Sequence, residues 1–366
     1  MKSVYYIGIM SGTSLDGVDA VLVDFSASAP VLIQTFFCPY NDQLRTQLLA
    51  LHRSDYNELH RAAVLSNQLS VLYAEATAEL LRNSGIGFQQ VVAIGCHGQT
   101  IRHCPELEKS YTIQLVNAAL LAELTQITVV TDFRSRDIAA GGQGAPLVPA
   151  FHHALFKDSL CHRVIVNIGG IANITSLDPH NEIIGFDCGP GNILMDAWCL
   201  RHTGKNYDKD GQWAMAGQII PALLEELLGD CFFSVQPPKS TGRDLFNVEW
   251  LEQKLVGSEA PEDVQATLLQ LTAVTIIRSI REYCPTATEI YMCGGGAHNT
   301  LLMDRLLNLM PERKVALTDQ LGVVADWVEA FAFAWLAQRT ISRKTGNLTA
   351  VTGARGDRIL GAIYPA

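Results

Sequence analysis

The stretch IGIMSGTSLDGVD, Ile7–Asp19, sits between two apolar runs, Val4–Met10 and Ala20–Phe25. Two β-type runs separated by small and hydroxyl-bearing residues predict a strand–turn–strand hairpin. Glycine admits close backbone approach, and Ser and Thr add hydroxyls to the main-chain N–H groups. Such a loop suits a phosphate chain. Asp16 and Asp19 oppose that reading unless a cation, most naturally Mg²⁺, lies between carboxylate and phosphate. An ordinary tight turn with Asp in its usual place is the competing interpretation.

Working outward, a third strand is expected at Pro30–Tyr40 and a helix at Asn57–Arg82. In that helix Leu59, Ala62, Leu65, Leu69, Leu72, Ala76 and Leu80 recur at three- and four-residue steps. Gly85 and Gly87 supply its stop. Next come a strand at Val91–Gly95, the polar cluster CHGQTIRH (96–103), a short strand at Thr112–Leu115, a helix at Asn117–Leu124 and a strand at Thr128–Phe133. Periodicity stops in DFRSRDIAAGGQGAPLVP, 132–149, the candidate crossing between domains.

The opening pattern then returns. Val164–Ile168 is apolar, GGIAN follows, and strands are expected at Ile174–Leu177 and Glu182–Phe186. Helices fit Asn192–His202, Gly217–Leu228, Asp263–Tyr283, Thr300–Met310 and Ala325–Arg339, with a strand at Glu289–Cys293 before GGGAHN. Each half therefore begins with three strands around a small-residue turn and then alternates helix and strand. This is the pattern of an α/β protein built from two related lobes.

The totals agree. The chain has 366 residues, enough for about two domains. It is 48% hydrophobic and 17% charged, with a formal net charge of −10. That balance speaks against nucleic-acid binding, which wants a basic footprint. Nine Cys at scattered spacings, with no CxxC, argue against a disulfide framework or zinc ribbon and for a reducing cytoplasm. No apolar run approaches the ~20 residues of a membrane span. No P-loop, complete GxGxxG, HExxH or GxSxG motif is present.

Asp187 follows the apolar run IIGF and precedes CGPGN and a helix. A carboxylate at a strand end beside a helix start is placed either as a general base or as a helix cap. His97, Gln99, Arg102 and His103 gather after a strand, where they suit polyol or phosphate contacts or plain surface polarity. Arg134 and Arg136 either pair with Asp132 and Asp137 or hold an anionic substrate. Gly294, Gly295 and Gly296 fit close backbone approach to a ligand or a tight turn. Asn167, Gly169, Gly170 and Asn173 form a second hairpin that mirrors the first. Glu329 lies in the apolar stretch WVEAFAFAWLA, where a carboxylate needs a partner, a solvent-facing position or a ligand.

Together MSGTSLDGVD, CHGQTIRH, DFRSRDIAAGGQGAPLVP, NIGGIANIT, GFDCGPGN and WVEAFAFAWLA resemble the anhydro-N-acetylmuramic acid kinase family across essentially the whole chain. The resemblance implies a two-lobed, actin-like ATPase (ribonuclease H-like) fold with a central cleft. Residues 1–135 and about 343–366 would form the first lobe, and 136–342 the second. It implies a kinase that uses ATP and Mg²⁺ to open 1,6-anhydro-N-acetylmuramic acid and phosphorylate its 6-oxygen, in cell-wall recycling. Asp187 matches the catalytic base. Gly12, Thr13, Ser14, Leu15, Asp16, Gly17, Val18 and Asp19 match the ATP-binding segment; the residues themselves add Asn167, Gly169 and Gly170 on the far side of the phosphate chain and Gly294 and Gly295 on the base or ribose. His97, Gln99, Arg134 and Glu329 match sugar contacts. The resemblance fixes no metal ligand; Mg²⁺ arrives with ATP, and Asp16 is the candidate contact. A cytoplasmic homodimer is implied, without nucleic-acid or membrane partners. A kinase of another amino sugar, or a nucleotide-sensing module without phosphoryl transfer, is the alternative that the residues themselves leave open.

Overall fold

The computed structural model describes residues 4–12, 14–52, 57–243 and 245–366. It divides into two compact units, residues 1–151 with 327–366, and residues 152–326.

In unit 1 the strands are β1 (Tyr5–Ser11), β2 (Gly17–Asp24), β3 (Val31–Pro39), β4 (Val91–Cys104), β5 (Tyr111–Leu115) and β6 (Val129–Thr131), with a late strand 362–364 described below. Its helices are α1 (Asp42–Ala50), α2 (Glu58–Ser84), α3 (Ala118–Thr125) and α4 (Ser135–Ala139), and α5 (Val148–Phe156) runs across the division into unit 2. β1 and β2 form the expected hairpin, with Ile7 opposite Leu22 and Met10 opposite Asp19. β3 adds antiparallel to β2, whereas β4 is parallel to β1 and β6 parallel to β4. The core order is therefore β3-β2-β1-β4-β6. Helix α2 buries Leu65, Leu69, Tyr73, Ala76 and Leu80 against this sheet and ends on Gly85 at φ +69°, where glycine carries no Cβ penalty.

Unit 2 repeats the plan. Its strands are β7 (Arg163–Ile168), β8 (Ile171–Leu177), β9 (Ile184–Pro190), β10 (Glu289–Cys293) and β11 (Lys314–Leu317), in the order β9-β8-β7-β10-β11. β7, β8 and β9 are antiparallel, and β7, β10 and β11 are parallel. Its helices are α6 (Ile193–Thr203), α7 (Gln212–Ala216), α8 (Pro221–Leu228), α9 (Val248–Glu252), α10 (Pro261–Tyr283) and α11 (Thr300–Leu309). The chain then returns to unit 1 as α12 (Val328–Ile341), α13 (Thr349–Thr352) and β12 (Ala362–Tyr364), the last antiparallel to β6. Both units thus carry the ribonuclease H-like strand order, three antiparallel strands followed by two parallel additions. The two small-residue hairpins occupy equivalent places in it.

Several expectations are corrected. CHGQTIRH is not a loop after a strand. β4 runs on to Cys104 because β5 pairs with its second half, Gln99 opposite Leu115 and Cys104 opposite Tyr111. The stretch 132–149, where periodicity stops, holds α4 and the start of α5. The units divide at 151/152 and 326/327 rather than near 135 and 342. Residues 327–342 go with unit 1 because α12 packs on β1 and β4. Helix α1, capped by Asn41 accepting the Leu44 N–H, and the short strands β11 and β12 were not anticipated.

Gly8 and Gly95 are register partners on β1 and β4, and α12 lies directly on them. A Cβ on Gly8 would fall 1.9 Å from the Ala330 carbonyl oxygen, and one on Gly95 2.0 Å from that of Phe333. Both obstacles are main chain, so relief requires moving a helix. Gly8→Ala is expected to destabilise by about 3 kcal/mol or more. Gly295→Ala, where a Cβ meets nothing within 4 Å, should stay within about 0.5 kcal/mol of the parent. Denaturant midpoints check both, and equal midpoints would refute the packing argument.

Candidate active site

In unit 1 the β1–β2 turn presents Ser14 and Asp16 to solvent and buries Leu15 and Val18. The Ser14 hydroxyl donates to the Asp16 carboxylate. Leu15 adopts φ +57°, unusual for a non-glycine residue, so the turn is held in shape by its surroundings. Leu15 and Val18, expected on the nucleotide, put their side chains into the core and leave only main chain for a ligand. Gly17 is explained by packing: a Cβ there would lie 2.4 Å from the Cys38 carbonyl oxygen. Gly12 has open space on its Cβ side, with only Ser14 nearby, and Asp19 is half-buried on β2 opposite Phe37. Thr13 lies outside the described residues.

Beneath the turn is a buried network. Gln99 Nε2 donates to the Gly12 carbonyl at 3.0 Å, and Gln99 Oε1 accepts from Tyr40 Oη at 3.3 Å. Ser11 Oγ and Tyr73 Oη share a 2.7 Å hydrogen bond. Burial raises both phenols above their ordinary range, so these groups are neutral donors. Gln99, expected on the sugar, gives one amide hydrogen to the Gly12 carbonyl and accepts from Tyr40. Tyr73 on α2 and Tyr40 just after β3 were missed, because a tyrosine there looks like any other packing aromatic.

Arg134 precedes α4. Its Nε and Nη2 lie 3.1 and 2.9 Å from His97 Nε2, and Nη1 donates to the Gly144 carbonyl at 2.7 Å. A guanidinium only donates, so His97 Nε2 is the lone-pair nitrogen. Burial first and Arg134 second hold His97 well below its ordinary pKa; the same two causes bring His103 to about 4. His97 and Arg134 thus form one group, a fixed cation backed by a neutral imidazole. Asp137, one candidate partner for the neighbouring arginines, is engaged elsewhere. Fully buried Asp137 accepts from Gly144 N–H (2.9 Å), Asn347 Nδ2 (2.8 Å) and Thr352 Oγ1 (2.8 Å). It therefore shapes the loop that holds Arg134. Arg102 is occupied by an ion pair with Glu58 at 2.7 Å. Glu329 is half-buried in the first turn of α12, where the helix dipole favours a carboxylate.

In unit 2, Asn167, Asn173 and Asp187 are direct register partners across β7, β8 and β9, which puts their side chains on one face. Asp187 lies inside β9 rather than at its end, because the strand continues through Pro190. It does not cap α6, whose N-cap position is Asn192. Instead its N–H donates to the Lys239 carbonyl (3.1 Å) and its Oδ2 accepts the Thr241 N–H (2.9 Å). The register shifts at Cys188, between the pairs Asn173–Asp187 and Ala172–Gly189, a bulge of the kind that re-aims a neighbouring side chain. Burial pushes the Cys188 thiol up to about 12, which keeps it protonated beside the carboxylate. Residues 239–241 were passed over in the sequence, although the run PPKST was visible as a break between helices.

The carbonyls of Gly169 and Gly170 accept the N–H groups of Asn192 and of Gly191 and Ile193, tying the second hairpin to the start of α6. Gly294, at φ +79°, comes close to Asn167 and Ile168 rather than to open space, whereas Gly295 is exposed. Among the described residues no group of three or more His, Cys, Asp or Glu side chains could hold a metal. The exposed Asp16 carboxylate is still a suitable hard-oxygen donor for an ion that keeps its other ligands from phosphate and water.

A doubled three-antiparallel, two-parallel topology, with a glycine-bearing hairpin at the same point in each unit and an aspartate on the third strand of one, defines the class: an actin-like ATPase fold. The sequence model of anhydro-N-acetylmuramic acid kinase matches residues 4–366, and the chain belongs to that kinase family. It is 62% identical over 363 residues to the anhydro-N-acetylmuramic acid kinase of Nitrosomonas europaea, covering 99% of this chain and all of that one. To that of Nitrosospira multiformis it is 63% identical over 366 residues, with both chains covered in full. Among solved structures, it is similar to the activator of the 2-hydroxyisocaproyl-CoA dehydratase from Clostridium difficile, at TM-score 0.44 and 11% identity, over 92% of this chain and 97% of that one.

Burial, with a second contribution from Arg134 at His103, holds His103 near pKa 4, and burial alone holds His152 near 3, against about 6.5 when unfolded. The unfolded chain therefore binds more protons below pH 6.5. These groups contribute their stability in full above pH 6.5 and lose it toward 4, at about 1.4 kcal/mol per pH unit for each. The thermal midpoint is expected to fall between pH 7 and 5.5. A flat or rising midpoint would contradict the neutral, buried histidines.

Proposed function

We propose that the protein opens the 1,6-anhydro bridge of 1,6-anhydro-N-acetylmuramic acid with water and transfers the γ-phosphoryl group of ATP to the freed 6-oxygen. The products are N-acetylmuramic acid 6-phosphate and ADP. The carrying observation is Asp187 on β9, with its carboxylate held by the Thr241 N–H, in a chain of this kinase family. Asp187 takes a proton from the attacking water as that oxygen bonds to the anomeric carbon. The bond from that carbon to the 6-oxygen breaks, and the 6-oxygen takes its electron pair to phosphorus. Capture by phosphorus stands in for the acid that an acetal leaving group otherwise needs.

The segment Gly12–Asp19 is read as the cradle of the ATP phosphates, with Asn167, Gly169, Gly170 and Gly295 on the nucleotide and Gly294 shaping that loop. Asp16 would hold Mg²⁺, which neutralises phosphate charge during transfer. Gln99 serves by fixing the Gly12 carbonyl. Arg134, oriented by His97, suits the lactyl carboxylate that distinguishes a muramyl sugar, and Glu329 is a further sugar contact. The location proposed is the cytoplasm, and the assembly a homodimer. No helix among the described residues is long and apolar enough to cross a membrane.

Incubation with Mg-ATP and the anhydro sugar should yield ADP and a ring-opened 6-phosphate in equal amounts. ADP without ring opening would sink the combined reaction. Asp187→Asn should lower kcat by about 10³-fold while ATP still binds, and near-native turnover would remove it from the mechanism. Arg134→Ala should raise the sugar's KM about tenfold or more and leave that of ATP within about threefold. Equal changes in both constants would argue against a carboxylate contact.

A further inference from the structure

Residues 235–243 carry no helix or strand, yet Lys239 in their midst is only 7% exposed. Its ammonium donates to the Phe232 carbonyl at 3.2 Å and lies 4.7 Å from the Phe232 ring centre and 5.9 Å from that of Phe186. Phe186 immediately precedes Asp187 on β9. The ionisable groups around the ammonium are Asp187 and Cys188 on β9 and Glu282 near the end of α10; burial pushes Lys239 below its ordinary value, and these three push it back up. A buried ammonium is costly, and an apolar side chain of the same length would fill this space more cheaply. Keeping a cation here calls for a reason.

The reason lies in what the lysine anchors. The main chain of its own segment grips Asp187 at two points, the Lys239 carbonyl on the Asp187 N–H and the Thr241 N–H on Oδ2. The tie to Phe232 adds a side-chain anchor to residues 239–241, which belong to no helix or strand. We propose that Lys239 is a positioning residue for the Asp187 carboxylate, pinning the 239–241 segment so that the Thr241 N–H aims that carboxylate. Its charge also favours the ionised carboxylate. The inference rests on Asp187 being the general base.

Lys239→Met keeps length and apolar contacts and removes the ammonium. It is expected to lower kcat about 10–100-fold, as a misplaced catalytic group does, with both KM values within about threefold of native. The acid limb of the kcat–pH profile should move up by about one unit, a tenfold change in the ionisation constant, because the carboxylate loses a cation and a well-placed donor. Asp187→Asn/Lys239→Met should turn over no more slowly than Asp187→Asn alone. Phe232→Leu, which thins the aromatic wall but leaves the lysine, should move kcat and the acid limb the same way by about threefold; it carries the test if the methionine variant does not fold. An acid limb at its native position in the variant that folds, or losses that multiply in the double variant, would overturn the positioning role. Native turnover in Asp187→Asn alone would instead bring down the base assignment itself.

Discussion

Unit 1 depends on a helix backbone lying flat on a sheet with no side chain between them. Gly8 and Gly95, side by side on parallel strands, make a floor on which the Ala330 and Phe333 carbonyls rest at contact distance. That contact dictates the composition of α12. Small residues must face the floor, so the helix reads AFAFAWLA, with Phe331 and Phe333 spreading to Phe151 and to Phe133 and His97. Once the helix is seated, the position of Glu329 in its first turn follows. The carboxylate therefore owes its place to two glycines far away in sequence.

The polar parts of unit 1 obey a second rule: burial is tolerated by neutralisation or by complete hydrogen bonding. Tyr40, Tyr73, Ser11 and Gln99 hold the first hairpin without a formal charge. His97 is kept neutral by burial and by the guanidinium it serves. Asp137 is met by three donors and joins the Arg134 loop to residues 347 and 352. Among these groups Arg134 is the cation, held by His97 and the Gly144 carbonyl. In unit 2 the same economy leaves Asp187 as a carboxylate gripped by main chain, beside a bulge whose thiol stays protonated.

Much of this was legible in the residues. Apolar runs located β1, β2, β3, β7 and β8, and the three- and four-residue spacing of apolar residues located α2. The doubled topology followed from the order of elements. What stayed hidden was set by distant partners. β4 extends through a polar cluster only because β5 pairs with it, and β12 exists only as a neighbour of β6. That Gly17 and Gly294 also have a packing reason, the Cys38 carbonyl at one and the Asn167 side chain and Ile168 main chain at the other, showed only in the structure. Lys239 and Thr241 gave no signal as chemistry, since a lysine in an irregular stretch ordinarily reads as a surface group.

The glycine floor also has a consequence in time. Gly8 is made 320 residues before α12, which begins at residue 328. At about 5–20 residues per second, the floor waits on the order of tens of seconds for the helix that covers it. Unit 2, continuous from 152 to 326, can complete itself in that interval. During its synthesis the protein is thus half finished in a particular sense: the later-made unit is whole while the earlier one stands open. The bare apolar face of β1 and β4 is then a natural surface for a chaperone to guard.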